Sequence, residues 1–212
     1  IVDNTISDNN GPAINITANA QSFRGQRDQG RATGIANPYD QLPDNVGPLV
    51  RLTRLDNNTI TGMLVRGELL TTETIWDDTD MVHMVFDSIT VDNLHSGGGL
   101  KLRSRPDESL VVKLGDQGTP GEGTNRYAAE HTSGQGTPNS ATIGTGLTAS
   151  GTPNDATDRL GGTVSILGLP DAPVVLTSYR DDSVGAGLTP DGTQFTDTNG
   201  DGTNSRPEPN DW

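Results

Sequence analysis

The sequence contains no cysteine, which excludes disulfides, thiolate metal sites and cysteine nucleophiles. Aromatic residues make up only 4% of the 212 and hydrophobic residues 30%, poor material for the core of a helical bundle. No apolar run approaches the roughly 18 residues that a membrane span requires. Positive charge is scarce: 14 Lys and Arg face 28 Asp and Glu, a formal net charge of −14. Such a field repels nucleic acid and anionic lipid, and no basic patch interleaved with aromatics offsets it. There is no serine nucleophile elbow, no metalloprotease helix motif and no phosphate-binding glycine loop. The opening IVDNTISDNN carries neither Met nor a signal peptide, so the chain is expected to be a segment of something longer.

What is present in quantity is turn-forming chemistry, with 27 Gly and 13 Pro. Of the 28 acidic residues, 22 are Asp and 6 are Glu. Asp favours turns and short-range oxygen chelation, so the excess charge is expected in loops, with divalent cations as its natural counter-charge. Apolar runs are brief. In residues 1–17, Ile6, Ile14 and Ile16 are each hemmed in by Asn, Asp, Ser or Gly. Gly11-Pro12-Ala13-Ile14-Asn15-Ile16-Thr17 matches Gly47-Pro48-Leu49-Val50-Arg51-Leu52-Thr53, and Asp3-Asn4-Thr5-Ile6 resembles Asn57-Asn58-Thr59-Ile60. This is a degenerate internal repeat. Its physical meaning is a coil of short strands that turn an aliphatic side chain inward at every second position and corner at Asn, Asp or Gly, which tolerate left-handed backbone angles.

Further strand signals lie in Ser88-Ile89-Thr90-Val91, in Leu100-Lys101-Leu102-Arg103, in SLVVKL and in the runs TVSILG and PVVLTS around a Leu-Pro-Asp-Ala-Pro corner. Three regions follow: strands over 1–114, a Gly/Thr/Pro-rich insertion over 115–162, and further strands with an Asp-rich tail over 163–212. On the repeat just quoted, the chain resembles the right-handed parallel β-helix repeats of large bacterial secreted and cell-surface proteins. WDDTDMVHMV, the Gly-rich bend before LKLRS, DESLVVKL, DRLGGTVSILG, PVVLTS and the tail extend that likeness over most of the chain. The resemblance implies an all-β solenoid, with a β-sandwich as the alternative fold. It also implies an extracellular or cell-surface, non-catalytic structural or adhesive module. Its partners would be other copies or adjoining segments of the same parent protein, with surface polysaccharide as a further candidate.

The chemistry-bearing residues are mostly acidic. In DTNGDGTNSRPEPNDW, Asp197, Asn199 and Asp201 alternate, Gly202 follows, Thr203 offers a carbonyl and Glu208 takes the last position, the oxygen pattern of a helix-flanked calcium loop. Pro207 and Pro209 forbid the usual exiting helix, so the expected Ca2+ site is a loop without helices, and a solvated Asp/Asn turn is the competing reading. Trp76-Asp77-Asp78-Thr79-Asp80 is a second acidic cluster, readable as a polar turn before a strand, a cation site or a sugar site in which Trp76 and Tyr179 contact glycan. His83 alternates with Met81 and Val85 as a strand-face histidine. Arg180-Asp181-Asp182 supplies paired carboxylates, as β-helix glycosidases do, but no Asn-Thr-Asp occurs and none of His83, His95 and His131 is followed by Gly. A polysaccharide lyase or glycoside hydrolase is therefore the runner-up.

Overall fold

A computed structural model describes residues 1–21, 50–92, 99–115, 146–149 and 162–207. The described residues are all-β apart from one 3-10 turn, Ala18–Gln21. The strands are β1 (Thr5–Ser7), β2 (Pro12–Thr17), β3 (Arg54–Asp56), β4 (Ile60–Arg66), β5 (Leu69–Leu70), β6 (Glu73–Trp76) and β7 (His83–Val85). They continue with β8 (Ile89–Val91), β9 (Gly99–Arg103), β10 (Leu110–Leu114), β11 (Leu147–Ala149), β12 (Thr163–Leu167) and β13 (Val174–Ser178). β8, β9, β10, β12 and β13 fall on the alternating runs of the sequence, whereas β11 lies within the stretch read as an irregular insertion; most of that stretch lies outside the described residues. None of the described helical segments is long and apolar enough to cross a membrane.

Every pairing between these strands is parallel, not the antiparallel pairing of a sandwich. The sheet orders are β13-β10-β7-β4-β2, β11-β8-β5 and β12-β9-β6, with β1-β3 as a separate pair. From β4 onward the chain visits the three larger sheets in one fixed rotation, so each strand lies beside the strand three places earlier.

Register follows the side-chain pattern. Ile14, Met63, His83, Val112 and Leu176 share one ladder of the five-stranded sheet, and Trp76, Leu102 and Ile166 share one ladder of the β12-β9-β6 sheet. Alternate positions feed two apolar clusters. The larger contains Met63, Val65, Leu70, Trp76, Val85, Ile89, Leu100, Leu102 and Val112, drawn from all three sheets. The smaller lies on the other face of the five-stranded sheet and holds Ile60, Leu64, Val82, Met84, Phe86 and Val111 together with Tyr179 and Ala186. Strands buried on both faces need no polar alternation, which is why β4 and β10 read as nearly continuous apolar runs.

Corners recur in register. Asp8 and Asn57 both take positive φ, at 59° and 46°, and the Asn57 amide donates to Asp8 Oδ1 at 2.7 Å. Asn58, almost fully buried, donates to the Ile6 carbonyl at 2.9 Å and accepts from the Asn9 side chain at 2.8 Å. Asn and Asp are the residues that reach left-handed angles at least cost while bonding adjacent backbone, so the expected Asn corners are borne out here.

Candidate metal centre

The site begins where β13 ends. After Ser178 the chain turns through Tyr179, Arg180, Asp181 and Asp182, then crosses the outer face of the five-stranded sheet before the tail returns to the same turn. Two hydrogen bonds tie the turn to the tail: the Asp182 N–H donates to the Ser205 carbonyl at 3.2 Å, and the Ser205 N–H donates to Asp182 Oδ2 at 2.8 Å. Asp182 is therefore held beside the tail although 15 residues separate it from Asp197 in the sequence.

The tail itself is a loop wrapped around carboxylates. Asp197 Oδ1 accepts the Gly200 N–H at 2.7 Å, and its Oδ2 accepts the Gly202 N–H at 3.0 Å. Gly200 and Gly202 sit at φ of 73° and 101°, angles that a residue with a Cβ reaches only with strain, and this lets their two N–H groups converge on one acid. The Asn199 amide donates to Asp201 Oδ2 at 2.8 Å, while Asp201 Oδ1 accepts the Ser205 hydroxyl at 2.8 Å. Carboxylate oxygens of Asp182, Asp197 and Asp201 lie within 4.8 Å of one another, and this buried-to-exposed group can hold a metal ion. Asp182 is 6% exposed, and its Oδ1 has no hydrogen-bond partner among the described residues.

Lys113 lies beneath the cluster. It projects from the outer face of β10, is fully buried, and donates to the Thr196 carbonyl at 2.9 Å and to Thr198 Oγ1 at 3.0 Å. Burial pulls its pKa down to about 8, against the charges of Asp182, Asp181, Asp197 and Asp201, which favour the ammonium form. Burial and the neighbouring Asp197 and Asp201 push the Asp182 carboxyl above its ordinary range, while the Ser205 N–H and Lys113 work the other way. Asp181 is also pushed up by burial. Hydrogen bonds from Ser183 and Thr177, with the Lys113 charge, overcome that and hold it below the usual carboxylate range. Asp181 is thus satisfied by its own turn, with Thr177 Oγ1 at 2.6 Å and the Ser183 hydroxyl at 2.5 Å, whereas Asp182 faces the tail.

Of the residues picked out in the sequence, Asp197 and Asp201 come together in this cluster. Asn199 braces Asp201 from within the loop, Thr203 is exposed, and Glu208 lies outside the described residues. Asp182 is the member that sequence reasoning missed. It stood in an Asp pair weighed only for catalysis, and no linear spacing connects it to the tail.

The second acidic cluster takes structural partners instead. Asp77 pairs with Arg103 at 2.6 Å, Asp78 Oδ1 accepts the Val50 N–H at 3.4 Å, and the Thr79 hydroxyl donates to Glu108 at 2.7 Å. Trp76 is fully buried and Tyr179 is 8% exposed, so neither offers the ring face that a sugar platform needs. His83 is a buried strand residue, as its alternation suggests.

Comparison with protein families, with curated proteins and with solved structures finds no match for this chain. The class is set by its own architecture: the described residues are all-β, in parallel sheets, and carry a carboxylate cluster where the tail meets the turn after β13.

Proposed function

We propose that the chain is a non-catalytic structural or adhesive module of a long extracellular bacterial surface or filament protein, built as a right-handed parallel β-helix and stabilised by Ca2+. The observation that carries this reading is the fixed rotation of the chain through three parallel sheets, since stacking rung on rung is how short apolar runs bury a common core. The last strand of one ladder supports the partner assignment. Ile166 occupies the same ladder as Trp76 and Leu102, which are fully buried, yet it is 50% exposed, and Leu167 beside it is 48% exposed. A further rung, from an adjoining segment or another copy, would cover them. Surface polysaccharide remains a second kind of partner under this reading, at a face other than Trp76.

Ca2+ suits the cluster better than Mg2+, because irregular oxygen sets of carboxylates match the larger ion's flexible coordination, whereas Mg2+ demands near-octahedral geometry and keeps its waters. Thermal unfolding in chelator and in millimolar Ca2+ tests the assignment. At 100 times its dissociation constant, an ion that binds only the folded chain adds about 2.7 kcal/mol, a rise in midpoint of several degrees. An unchanged midpoint removes Ca2+ from the proposal.

The paired carboxylates and the shifted lysine favour one rival, a polysaccharide lyase or hydrolase, because perturbed titrating groups gather at active sites. Against it, Asp181, Asp182 and Lys113 are all buried, and general acid/base work requires reach to a substrate atom. Acidic and neutral polysaccharides should stay intact with and without Ca2+. Cleavage that disappears in Asp181→Ala would reverse the ranking.

A further inference from the structure

We propose that Asp182 turns the acidic cluster into a cation cross-link between sheet and tail, so that a divalent ion of the calcium class holds residues 184–198 down as a strap over the outer face of the five-stranded sheet. The inference rests on the calcium reading above and adds what the ion does.

The placement of the ligands carries it. Asp182 lies in the turn four residues after the end of β13, on the near side of the strap, whereas Asp197 and Asp201 lie at its far end. Their carboxylate oxygens nevertheless come within 4.8 Å of one another. The Asp182 oxygen without a hydrogen-bond partner is buried, so bulk water is a poor substitute for a cation there. Bringing these three acids together and laying the strap down are one geometric event.

Between the ligands the strap covers apolar surface. Val184 and Ala186 pack in the cluster formed by Ile60, Leu64, Met84 and Phe86. Close approach depends on glycine: Gly187 sits at φ +84°, where a Cβ would stand 2.8 Å from the Asp80 carbonyl oxygen, and a methyl at Gly185 would overlap the returning Phe195 carbonyl. The strap is otherwise held by a few hydrogen bonds. The Leu55 N–H donates to the Leu188 carbonyl at 2.8 Å, the Thr61 N–H donates to the Thr198 carbonyl at 2.9 Å, and Lys113 reaches Thr196 and Thr198. One ammonium faces four acidic side chains across Asp181, Asp182, Asp197 and Asp201, so a divalent ion relieves the repulsion that would otherwise lift the strap.

The Leu55 and Thr61 amides report the state of the strap, because their acceptors are strap carbonyls. Amide exchange is measured on the full chain in chelator and in Ca2+ at 100 times the dissociation constant found by calorimetry, with the Leu102 amide of β9 as a reference for global opening. The expected result is exchange at Leu55 and Thr61 slowed by up to about 100-fold, and by more than at Leu102. Asp182→Asn should weaken calcium binding by about tenfold or more and abolish the slowing. Asp171→Asn, at an exposed corner, should change neither. Calcium binding that leaves Leu55 and Thr61 unchanged, or slows Leu102 equally, overturns the strap inference while the calcium reading stands. Unweakened binding in Asp182→Asn overturns the role given to Asp182. The absence of any calorimetric signal sinks the calcium reading itself. Should Asp182→Asn fail to fold, the wild-type exchange data decide alone.

Discussion

Replacing Trp76 with Ala should cost about 3–5 kcal/mol and lower the unfolding midpoint by roughly 10 °C. Trp76 closes β6, has no exposed surface, and lies in register with Leu102 in the ladder that runs on to Ile166. Its indole stacks on the His83 ring with centroids 5.3 Å apart and planes 12° apart, joining the β12-β9-β6 sheet to the five-stranded one. Truncation leaves a cavity between two sheets whose backbones are fixed by their own parallel ladders, so little collapse can fill it. The indole N–H has no partner among the described residues, which separates ring from donor: Trp76→Phe keeps most of the packing, removes an unsatisfied polar group, and should cost less than about 2 kcal/mol. Chemical denaturation of the two variants makes the comparison. A loss below about 1 kcal/mol in Trp76→Ala would mean that the three sheets do not share one packed interior.

The strands were legible because their period is short and their boundaries are chemical. Leu100-Lys101-Leu102-Arg103 alternates cleanly, and β9 places Leu100 and Leu102 in the core with Lys101 and Arg103 outward, where they meet Glu73 and Asp77. What the sequence hid was which run stacks on which. The likeness of Gly11–Thr17 to residues 47–53 suggests that those two runs pair, yet β2 lies on β4, with Ile14 opposite Met63 and Ile16 opposite Val65. The true step in this part of the chain is 49 residues, the separation of the bonded pairs Asn9–Asn58, Asp8–Asn57 and Asn19–Glu68. Parallel strands that pair across stretches of different length keep no constant period, so similarity of short runs measures shared vocabulary and not spatial succession. Leu52 carries the same lesson. It adopts φ of 52° and is 52% exposed, a corner position at which Asp3, its counterpart, is the chemically expected residue.

The site was half legible for a related reason. Asp197, Asn199, Asp201 and the two glycines are close in sequence, and a local oxygen pattern survives translation into a local loop. Asp182 is defined by a long-range return of the tail. Its neighbours in sequence look like those of any exposed turn, yet it is buried and bonded to the Ser205 N–H. Trp76 shows the converse error. Beside Asp77 and Asp78 it suggests a wet, sugar-binding surface, but period-two alternation through β6 carries its ring inward, and the acids follow it into burial with Arg103 and the Val50 N–H as partners.

Acidification should remove about 3 kcal/mol of stability between pH 6.5 and pH 4 through His83 alone. The imidazole is fully buried in the ladder between Met63 and Val112, and burial lowers its pKa from 6.5 to about 4, with the Met81 backbone acting in the opposite direction. Neither ring nitrogen reaches a partner at hydrogen-bond geometry among the described residues, so little in the folded chain stabilises the imidazolium. The unfolded chain takes up its proton first as pH falls through 6.5; the folded chain follows only near 4. Stability associated with this group is therefore complete above pH 6.5, falls across that window, and is fully lost below it. The stacked Trp76 ring offers some cation–π attraction to the charged form, which shallows the slope without reversing it. Asp181, with its pKa below the ordinary value, loses its contribution only at lower pH, whereas the raised Asp182 gains relative stability as the medium acidifies. Comparison with His83→Leu isolates the histidine from both. The variant keeps an apolar ladder position and has no proton to bind, so its stability should match or exceed the wild type's at pH 4 and show no His83-linked loss across the window. Parallel loss in both proteins between pH 6.5 and pH 4 would show that the imidazole is solvated or paired in the folded state, and that the ladder from Met63 to Val112 is not the dry interior on which the stacking of the three sheets depends.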